Sequence, residues 1–317
     1  MDNQHDDFDK TSVRAGTHSA KWNSRITESG IIPLSVADMD IPAPPQVIKK
    51  LAELNKKDIY GYTSPSTNWN KIVTNWIKRQ YQWKIESDWV VFFSRVIQAV
   101  SLPSQKATQY QDKTVVFSLF YRSVSNIVSA NDRQGSESQL RCQNSRHFIG
   151  FDDPDSQSKN ASEFISLPSG NLIGITSTNS GLTELFNQKV GRNAFIIADG
   201  VHTGFIINKN KNTPINIIDN DVKNKSPIRK LPTKPFNLAG LEMANIIIGH
   251  ANSGNKFKKP INFSGIHHPG HFSMSTLNVA YNGIQLPENL YPKYFELHYG
   301  GKRTSPDELT QVSDSGK

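Results

Sequence analysis

Residues 194–202 read Ala-Phe-Ile-Ile-Ala-Asp-Gly-Val-His, an unbroken apolar run that ends in the carboxylate of Asp199. A short apolar run without polar alternation is typical of a strand that is buried on both faces of a parallel sheet. In an open α/β sheet, the ligand crevice lies at the carboxyl ends of the strands. We therefore expect the Asp199 carboxylate to point into a binding site.

A second informative stretch is residues 232–241, Pro-Thr-Lys-Pro-Phe-Asn-Leu-Ala-Gly-Leu, which places Lys234 downstream of Asp199. A lysine set against a strand-end carboxylate suits an enzyme that uses pyridoxal phosphate. In such enzymes the amine bonds to the cofactor aldehyde, and the acid keeps the pyridine nitrogen protonated so that the ring can accept electrons. Either residue alone is also explained by a surface lysine or an unrelated strand-end acid.

The rest of the chain predicts an α/β fold. Strand-like apolar runs occur at residues 89–93, 114–117, 172–175, 195–198 and 245–248. Helical intervals separate most of them, which favours βαβ units and a mostly parallel sheet with helices on both faces.

The sequence predicts three helices. The first spans residues 44–54, the second begins after Ser66 or Thr67 as its N-cap, and the third lies around Met274 to Tyr281. The second helix has an apolar stripe that we assign to the core, formed by Trp69, Ile72, Val73, Trp76 and Ile77. The polar segments 131–163 and 208–228 predict long loops.

Composition narrows the functional classes. No apolar run is long enough to span a membrane, and the single Cys142 excludes an intramolecular disulfide, which suits a cytoplasmic location. The net charge of +8 is spread along the chain without zinc spacing or a recognition-helix pattern, so a solvated basic surface is favoured over nucleic-acid binding. Pro269 and Gly270 interrupt the histidines at 267–271, which favours a polar loop over a metal site.

Several motifs follow one another in an order that resembles a known family. They lie at residues 14–22, 36–42, 60–63, 89–100, 199–202, 233–241 and 278–282. Together they resemble the fold-type I pyridoxal phosphate enzymes of the class I/II aminotransferase superfamily. Within that group, the resemblance is to the cystathionine β-lyase-like C–S lyases of the maltose-regulon modulator type.

The resemblance assigns roles to individual residues around pyridoxal 5'-phosphate. Lys234 would bond to the cofactor and Asp199 would contact the ring nitrogen. The remaining assignments are ring stacking by Tyr121, contacts to the phenolic oxygen by His202 and Asn179, phosphate contacts by Thr233, Val96 and Ile97, and a contact by Tyr62 to the phosphate of a neighbouring subunit. For Tyr121, His202 and Asn179, an ordinary core aromatic, a core histidine and a loop asparagine remain alternatives. Arg95 stands where relatives have a glycine, and it could add a charge to the phosphate site or block it.

The implied activity is α,β-elimination from an amino-acid substrate, cystathionine or a related cysteine S-conjugate, by a homodimer. An aminotransferase and a non-catalytic regulatory or binding protein on the same fold remain alternatives. We expect residues 1–45 to form an N-terminal arm and part of a small domain, 46–285 the large cofactor-binding domain, and 286–317 a remnant C-terminal segment with a polar tail. The C-terminal small domain, with the arginine that binds the substrate carboxylate, is then expected to be largely missing.

Overall fold

The apolar runs of the sequence form strands, and the amphipathic stretches form helices. The computed structural model describes residues 12–31, 33, 36, 38–64, 68–117, 122–138, 140–143, 146–149, 163–166, 195–199, 228–230, 234–249, 265 and 268–283. Strands β1–β9 span Val90–Phe93, Lys113–Phe117, Gln134–Ser138, Leu140–Gln143, Arg146–Ile149, Glu163–Ser166, Phe195–Ala198, Ile228–Lys230 and Ala244–Ile248. Helices α1–α6 span Ser24–Ser29, Pro45–Asn55, Trp69–Tyr81, Gln98–Ala107, Arg122–Ala130 and His271–Gly283. None of the described helices is both long and apolar enough to cross a membrane.

Seven of these strands form one sheet, in the order β1-β9-β8-β7-β6-β2-β3. The neighbours from β8 to β3 pair in parallel, whereas β9 is antiparallel to both β1 and β8. Six strands therefore run in one direction and β9 runs in the other. Strands β4 and β5 form a separate antiparallel pair. The predicted α/β fold with a mostly parallel sheet is confirmed.

Strand β9 lies at the centre of the hydrophobic core, and all five of its residues are buried. Successive side chains of a strand point to opposite faces of the sheet. Ile246 and Ile248 accordingly join the core formed with α4 and α5. Ile247 joins the core on the other face, with α2, α3 and α6. Helices thus cover both faces, as the sequence predicts.

The apolar stripe of α3 is buried along its whole length, as predicted. The indole of Trp76 stacks on the ring of Tyr281 in α6, with centroids 4.5 Å apart and an interplanar angle of 16°. The predicted N-cap is wrong, because Asn68 precedes the first helical residue and makes no side-chain capping bond. Ser66 and Thr67 lie outside the described residues. Burial of the stripe, rather than a cap, stabilises this helix.

The long loop predicted for residues 131–163 is also wrong, because the segment contains β3, β4 and β5 and the first residue of β6. Strand β3, with the sequence Gln-Gly-Ser-Glu-Ser, is an edge strand that pairs through its backbone with β2. An edge strand needs no apolar face to form these bonds, so hydrophobicity alone does not reveal it. The predicted strand at 172–175 lies outside the described residues, as does the predicted loop up to residue 227.

Asn245 provides a test of the core, because this buried side chain interrupts the apolar residues of β9. Its Oδ1 accepts a hydrogen bond from Trp69 Nε1 at 3.0 Å, and its Nδ2 donates to Tyr281 Oη at 3.5 Å. We expect Asn245→Ala to lower the free energy of unfolding by about 1–3 kcal/mol, because the buried indole N–H loses its acceptor. Urea denaturation measures this change.

The matched control is Asn70→Ala, which removes an exposed bond to the Ser87 carbonyl oxygen. Water replaces that partner, so the loss should stay below about 1 kcal/mol. Equal losses in the two variants would contradict the role assigned to Asn245.

Candidate functional site

The sheet topology brings several predicted site residues to one edge. Strands β1, β2, β7 and β8 all run in the same direction, so their carboxyl ends lie at the same edge of the sheet. The turn at residues 95–97 follows β1. Asp199 follows β7, and Lys234 follows β8. Ligands of open α/β sheets bind at this edge.

Asp199 and Lys234 follow strands that are direct neighbours. Ala198, at the end of β7, pairs with Arg229 in β8, and neighbouring strands lie about 4.8 Å apart. Asp199 is buried, with 7% of its surface exposed. The parallel pairing of β7 and β8 therefore brings this carboxylate and the segment that carries Lys234 to the same part of the edge.

The backbone of Lys234 is fixed by a short 3-10 turn, Lys234–Phe236. The Asn237 amide donates to the Lys234 carbonyl oxygen at 3.0 Å, and Asn237 has a positive φ of 53°. Phe236 is 1% exposed. Its ring packs against Tyr281 and Trp76, at centroid distances of 5.7 and 6.4 Å. Core packing thus holds the turn that presents the lysine.

The charge of Lys234 is set by two opposing effects. Burial lowers the pKa of the Lys234 amine, and the negative charge of Asp38 partly opposes this shift. A lysine with a lowered pKa has a larger neutral fraction at a given pH than an ordinary lysine. The neutral amine is the form that can attack an aldehyde or accept a proton.

Asn237 also connects the Lys234 turn to residues 38–41. Its Nδ2 donates to the carbonyl oxygens of Met39 and Ile41, at 3.0 and 2.8 Å, and its Oδ1 accepts from the Met39 amide at 3.1 Å. Residues 36–42 lie in a motif that resembles the family, but the resemblance assigns them no role. Asp38 and Asn237 therefore contribute to the site although neither was predicted as a site residue. The available signal was that both lie in motifs that resemble the family.

The start of α4 is suited to an anion. The backbone N–H groups of Val96 and Ile97 donate no hydrogen bond within the described part of the chain, and they lie at the positive end of the helix dipole. Arg95 does not place an unpaired charge there, because its guanidinium pairs with Glu242. The Arg95 amide donates to Gln98 Oε1 at 3.2 Å. A phosphate group fits this turn.

The other predicted site residues are not brought together by the described structure. Tyr62 is fully exposed, while Tyr121, His202, Thr233 and Asn179 lie outside the described residues. His271 is the first residue of α6. In the described ranges, no group of three His, Cys, Asp or Glu side chains is placed to hold a metal ion. The residues that the structure does place, Lys234, Asp199 and the α4 turn, fit pyridoxal phosphate.

The chain is similar in sequence and fold to known pyridoxal phosphate-dependent lyases and aminotransferases. The chain is 27% identical over 280 residues to the cystathionine β-lyase PatB of Bacillus subtilis, a match that covers 87% of this chain and 72% of PatB. No family model matches the chain.

Two solved structures have the same fold. A pyridoxal phosphate-bound putative aminotransferase from Clostridium difficile has a TM-score of 0.83 at 27% identity, covering 92% of this chain and 75% of that one. Cystalysin from Treponema denticola, whose structure contains pyridoxal 5'-phosphate, has a TM-score of 0.79 at 24% identity, covering 87% and 72%. The chain is therefore cystathionine β-lyase-like, with the fold of pyridoxal phosphate-dependent aminotransferases and lyases, as the sequence motifs indicate.

The burial of Lys234 predicts a dependence of stability on pH. Below its folded-state pKa, the amine is charged in both states and the folded state bears the full desolvation penalty. As pH rises from that pKa towards the ordinary value for lysine, the unfolded chain binds more protons, so the folded protein gains stability. We expect Lys234→Met to raise the free energy of unfolding of the cofactor-free protein at neutral pH, with a smaller gain at alkaline pH.

Urea denaturation at both pH values checks this prediction. Lys78→Met, at an exposed position of α3, is the control and should show no such pH-dependent gain. The same pH dependence in both variants would rule out the assigned burial effect.

Proposed function

We propose that this protein is a pyridoxal phosphate-dependent carbon–sulfur β-lyase that acts on cystathionine or related cysteine S-conjugates. One observation carries the proposal: Asp199 and Lys234 follow adjacent parallel strands at the ligand-binding edge of the sheet. The sequence similarity to a cystathionine β-lyase over most of the chain supports this reaction over transamination. The products would be a thiol, pyruvate and ammonia, with water consumed.

The described residues would hold the cofactor at three points. Lys234 would bond to its aldehyde carbon, Asp199 would accept a hydrogen bond from its ring N–H, and the amides of Val96 and Ile97 would donate to its phosphate. When bound, pyridoxal phosphate supplies an electron-accepting ring that stabilises negative charge at the substrate Cα. Tyr121, His202, Thr233 and Asn179 remain predicted contacts on the strength of the family resemblance.

Lys234 would also move the proton on which elimination depends. With cofactor and substrate bound, the neutral amine of Lys234 would take the proton from the substrate Cα. Its pKa, lowered by burial, favours the neutral form that this step requires. Loss of the Cα proton then allows the C–S bond to break, with its electron pair leaving on sulfur as a thiolate. The buried carboxylate of Asp199 would stabilise positive charge on the ring throughout.

Retention of pyridoxal phosphate should depend on the Lys234 amine. Purified protein that has been mixed with pyridoxal phosphate and then separated from unbound cofactor by gel filtration should keep a visible absorbance band that Lys234→Ala loses, because the bond to Lys234 retains the cofactor. Lys78→Ala, in an exposed part of α3, should keep the band. With cystathionine, the wild-type protein should release pyruvate, measured by a coupled dehydrogenase. A well-folded wild-type protein without the band would refute the proposed function.

We infer that the protein acts as a homodimer, because an apolar segment, residues 59–62, is exposed in the single chain. Ile59, Tyr60 and Tyr62 have 73%, 62% and 109% of their surface exposed. Thr63, next in sequence, is held by a hydrogen bond from its Oγ1 to the Pro269 carbonyl oxygen at 2.7 Å. A second copy would cover this surface, and its Tyr62 would then contact the phosphate group held by the first copy.

Shared sites make a specific prediction for mixed subunits. Lys234→Ala and Tyr62→Ala proteins should each have little activity alone. When they are unfolded, mixed and refolded together, hybrid dimers should regain pyruvate release, because one site then has both native residues. The control mixture, Lys234→Ala with Asp199→Asn, should regain none, since both residues serve the site of their own subunit. No gain of activity in the first mixture over the two separate proteins, or an equal gain in both mixtures, would contradict the proposed sharing.

The remaining organisation stays a prediction from the sequence. It comprises an N-terminal arm with part of a small domain at residues 1–45, a cofactor-binding domain at 46–285, a C-terminal segment at 286–317, and a cytoplasmic location.

A further inference from the structure

The family motifs at residues 14–22 and 36–42 form a charged cluster that the proposed function leaves unexplained. We propose that Asp38 in this cluster is a positioning residue for Lys234: it holds a fixed negative charge beside the turn that carries the lysine and acts electrostatically on the amine. This inference rests on the proposed function for its significance, but its test requires neither cofactor nor substrate.

The first support is the connection between Asp38 and the lysine turn. Met39, the next residue, is held on both its amide and its carbonyl by the side chain of Asn237. The same Asn237 closes the turn that starts at Lys234. Two short covalent links and these hydrogen bonds therefore join Asp38 to Lys234. The Asn237 side chain uses its carbonyl oxygen as an acceptor and its amino group for two donated hydrogen bonds. These three bonds restrain the two segments from separating.

The second support is the way in which the N-terminal segment holds the Asp38 carboxylate. The guanidinium of Arg14 donates to both carboxylate oxygens of Asp38, at 2.7 and 3.1 Å. Bidentate pairs of this kind fix orientation as well as position. Lys21 Nζ donates to the Asp38 carbonyl oxygen at 3.1 Å, so the backbone is fixed too. The side chains of Arg14 and Asp38 are only 22% and 19% exposed.

Asp40 belongs to the same cluster but is placed differently. Its carboxylate accepts hydrogen bonds from Lys21 Nζ at 2.6 Å, Trp22 Nε1 at 2.8 Å and Arg14 at 2.9 Å. Burial pushes the pKa of Asp40 up, but these three donors outweigh it and leave the pKa lowered. Two cations therefore compensate Asp40, whereas Asp38 pairs with Arg14 alone through its side chain. Asp40 thus organises the cluster without adding charge at the lysine.

The electrostatics of Lys234 agree with this division. Burial lowers the pKa of Lys234, and Asp38 provides the charge that raises it. Besides Asp38, with Arg14, Lys21 and Asp40 behind it, the charged residues on the described elements next to Lys234 include Asp199, after β7, and Arg229 and Lys230 in β8. A base that must take a Cα proton works best when its pKa lies near the operating pH. Asp38 would limit how far burial moves the pKa below that range.

The test measures the reactivity of Lys234 in cofactor-free, full-length protein. The protein is acetylated with limiting acetic anhydride over a range of pH, and modification of Lys234 is quantified by peptide mass spectrometry. Only the neutral amine reacts. In Asp38→Asn, we expect the Lys234 acetylation rate at pH 7 to rise about threefold, because loss of the negative charge leaves the effect of burial unopposed and enlarges the neutral fraction of the amine. Asp38→Glu, which keeps the charge, should return the rate towards that of the wild type.

Asp40→Asn is the matched control. It disturbs the same cluster, and it should leave the Lys234 rate close to that of the wild type. No change in Asp38→Asn, or an equal rise in Asp38→Asn and Asp40→Asn, would overturn the proposal, because the cluster would then act only through structure. If Asp38→Asn does not fold, as judged by circular dichroism, Asp38→Ser replaces it. The same faster acetylation of Lys234 is expected, and an unchanged rate would equally overturn the proposal.

This result is independent of the lyase hypothesis. Failure to bind pyridoxal phosphate or to release pyruvate would refute the proposed function and leave the acetylation data unaffected. Unchanged acetylation in a protein that binds the cofactor through Lys234 would refute only the role of Asp38.

Discussion

Burial of Phe236 is the constraint on which the rest of the site depends. The ring packs against Tyr281 of α6 and Trp76 of α3, and those two aromatic rings stack on each other. The lysine turn is therefore attached to the centre of one hydrophobic core rather than to a surface loop. A side chain carried by such a turn has a defined position before any ligand binds, which reduces the free energy lost in ordering the site. Fixing Lys234 in this way also partly removes it from water.

Because Lys234 is partly buried, the pKa of its amine is lowered. A half-buried amine loses its proton more easily, and an uncompensated loss would weaken it as a base. Asp38 opposes this effect from a segment that is itself held by charge pairs to Arg14 and Lys21. Core packing thus holds the Lys234 turn, hydrogen bonds of Asn237 join that turn to residues 39–41, and an ion pair with Arg14 holds Asp38 in the same segment. In this arrangement, a charged residue near the N-terminus, Asp38, acts on the amine of Lys234 far along the chain.

The phosphate turn illustrates how a departure from a family pattern is accommodated. Arg95 stands where a glycine is expected, yet its guanidinium is paired with Glu242. The antiparallel pairing of Phe93 with Ala244 brings these two residues together, because each lies just beyond the same end of the β1–β9 ladder. The Arg95 guanidinium therefore adds no unpaired charge to the turn, because Glu242 lies opposite it.

The sequence alone determined the fold class, because its signals are local and ordered along the chain. An uninterrupted apolar run such as 195–198 favours a buried strand, and a strand-end acid with a downstream lysine predicts a specific chemistry by residue type. Polar strands such as β3 were missed because backbone pairing, not side-chain burial, holds them. Tertiary structure alone decided that β7 and β8 are neighbours, that β9 runs antiparallel, and that Asn237 joins the Lys234 turn to Met39, the residue after Asp38. These contacts join residues that are remote in sequence, and their existence depends on how the whole sheet is assembled.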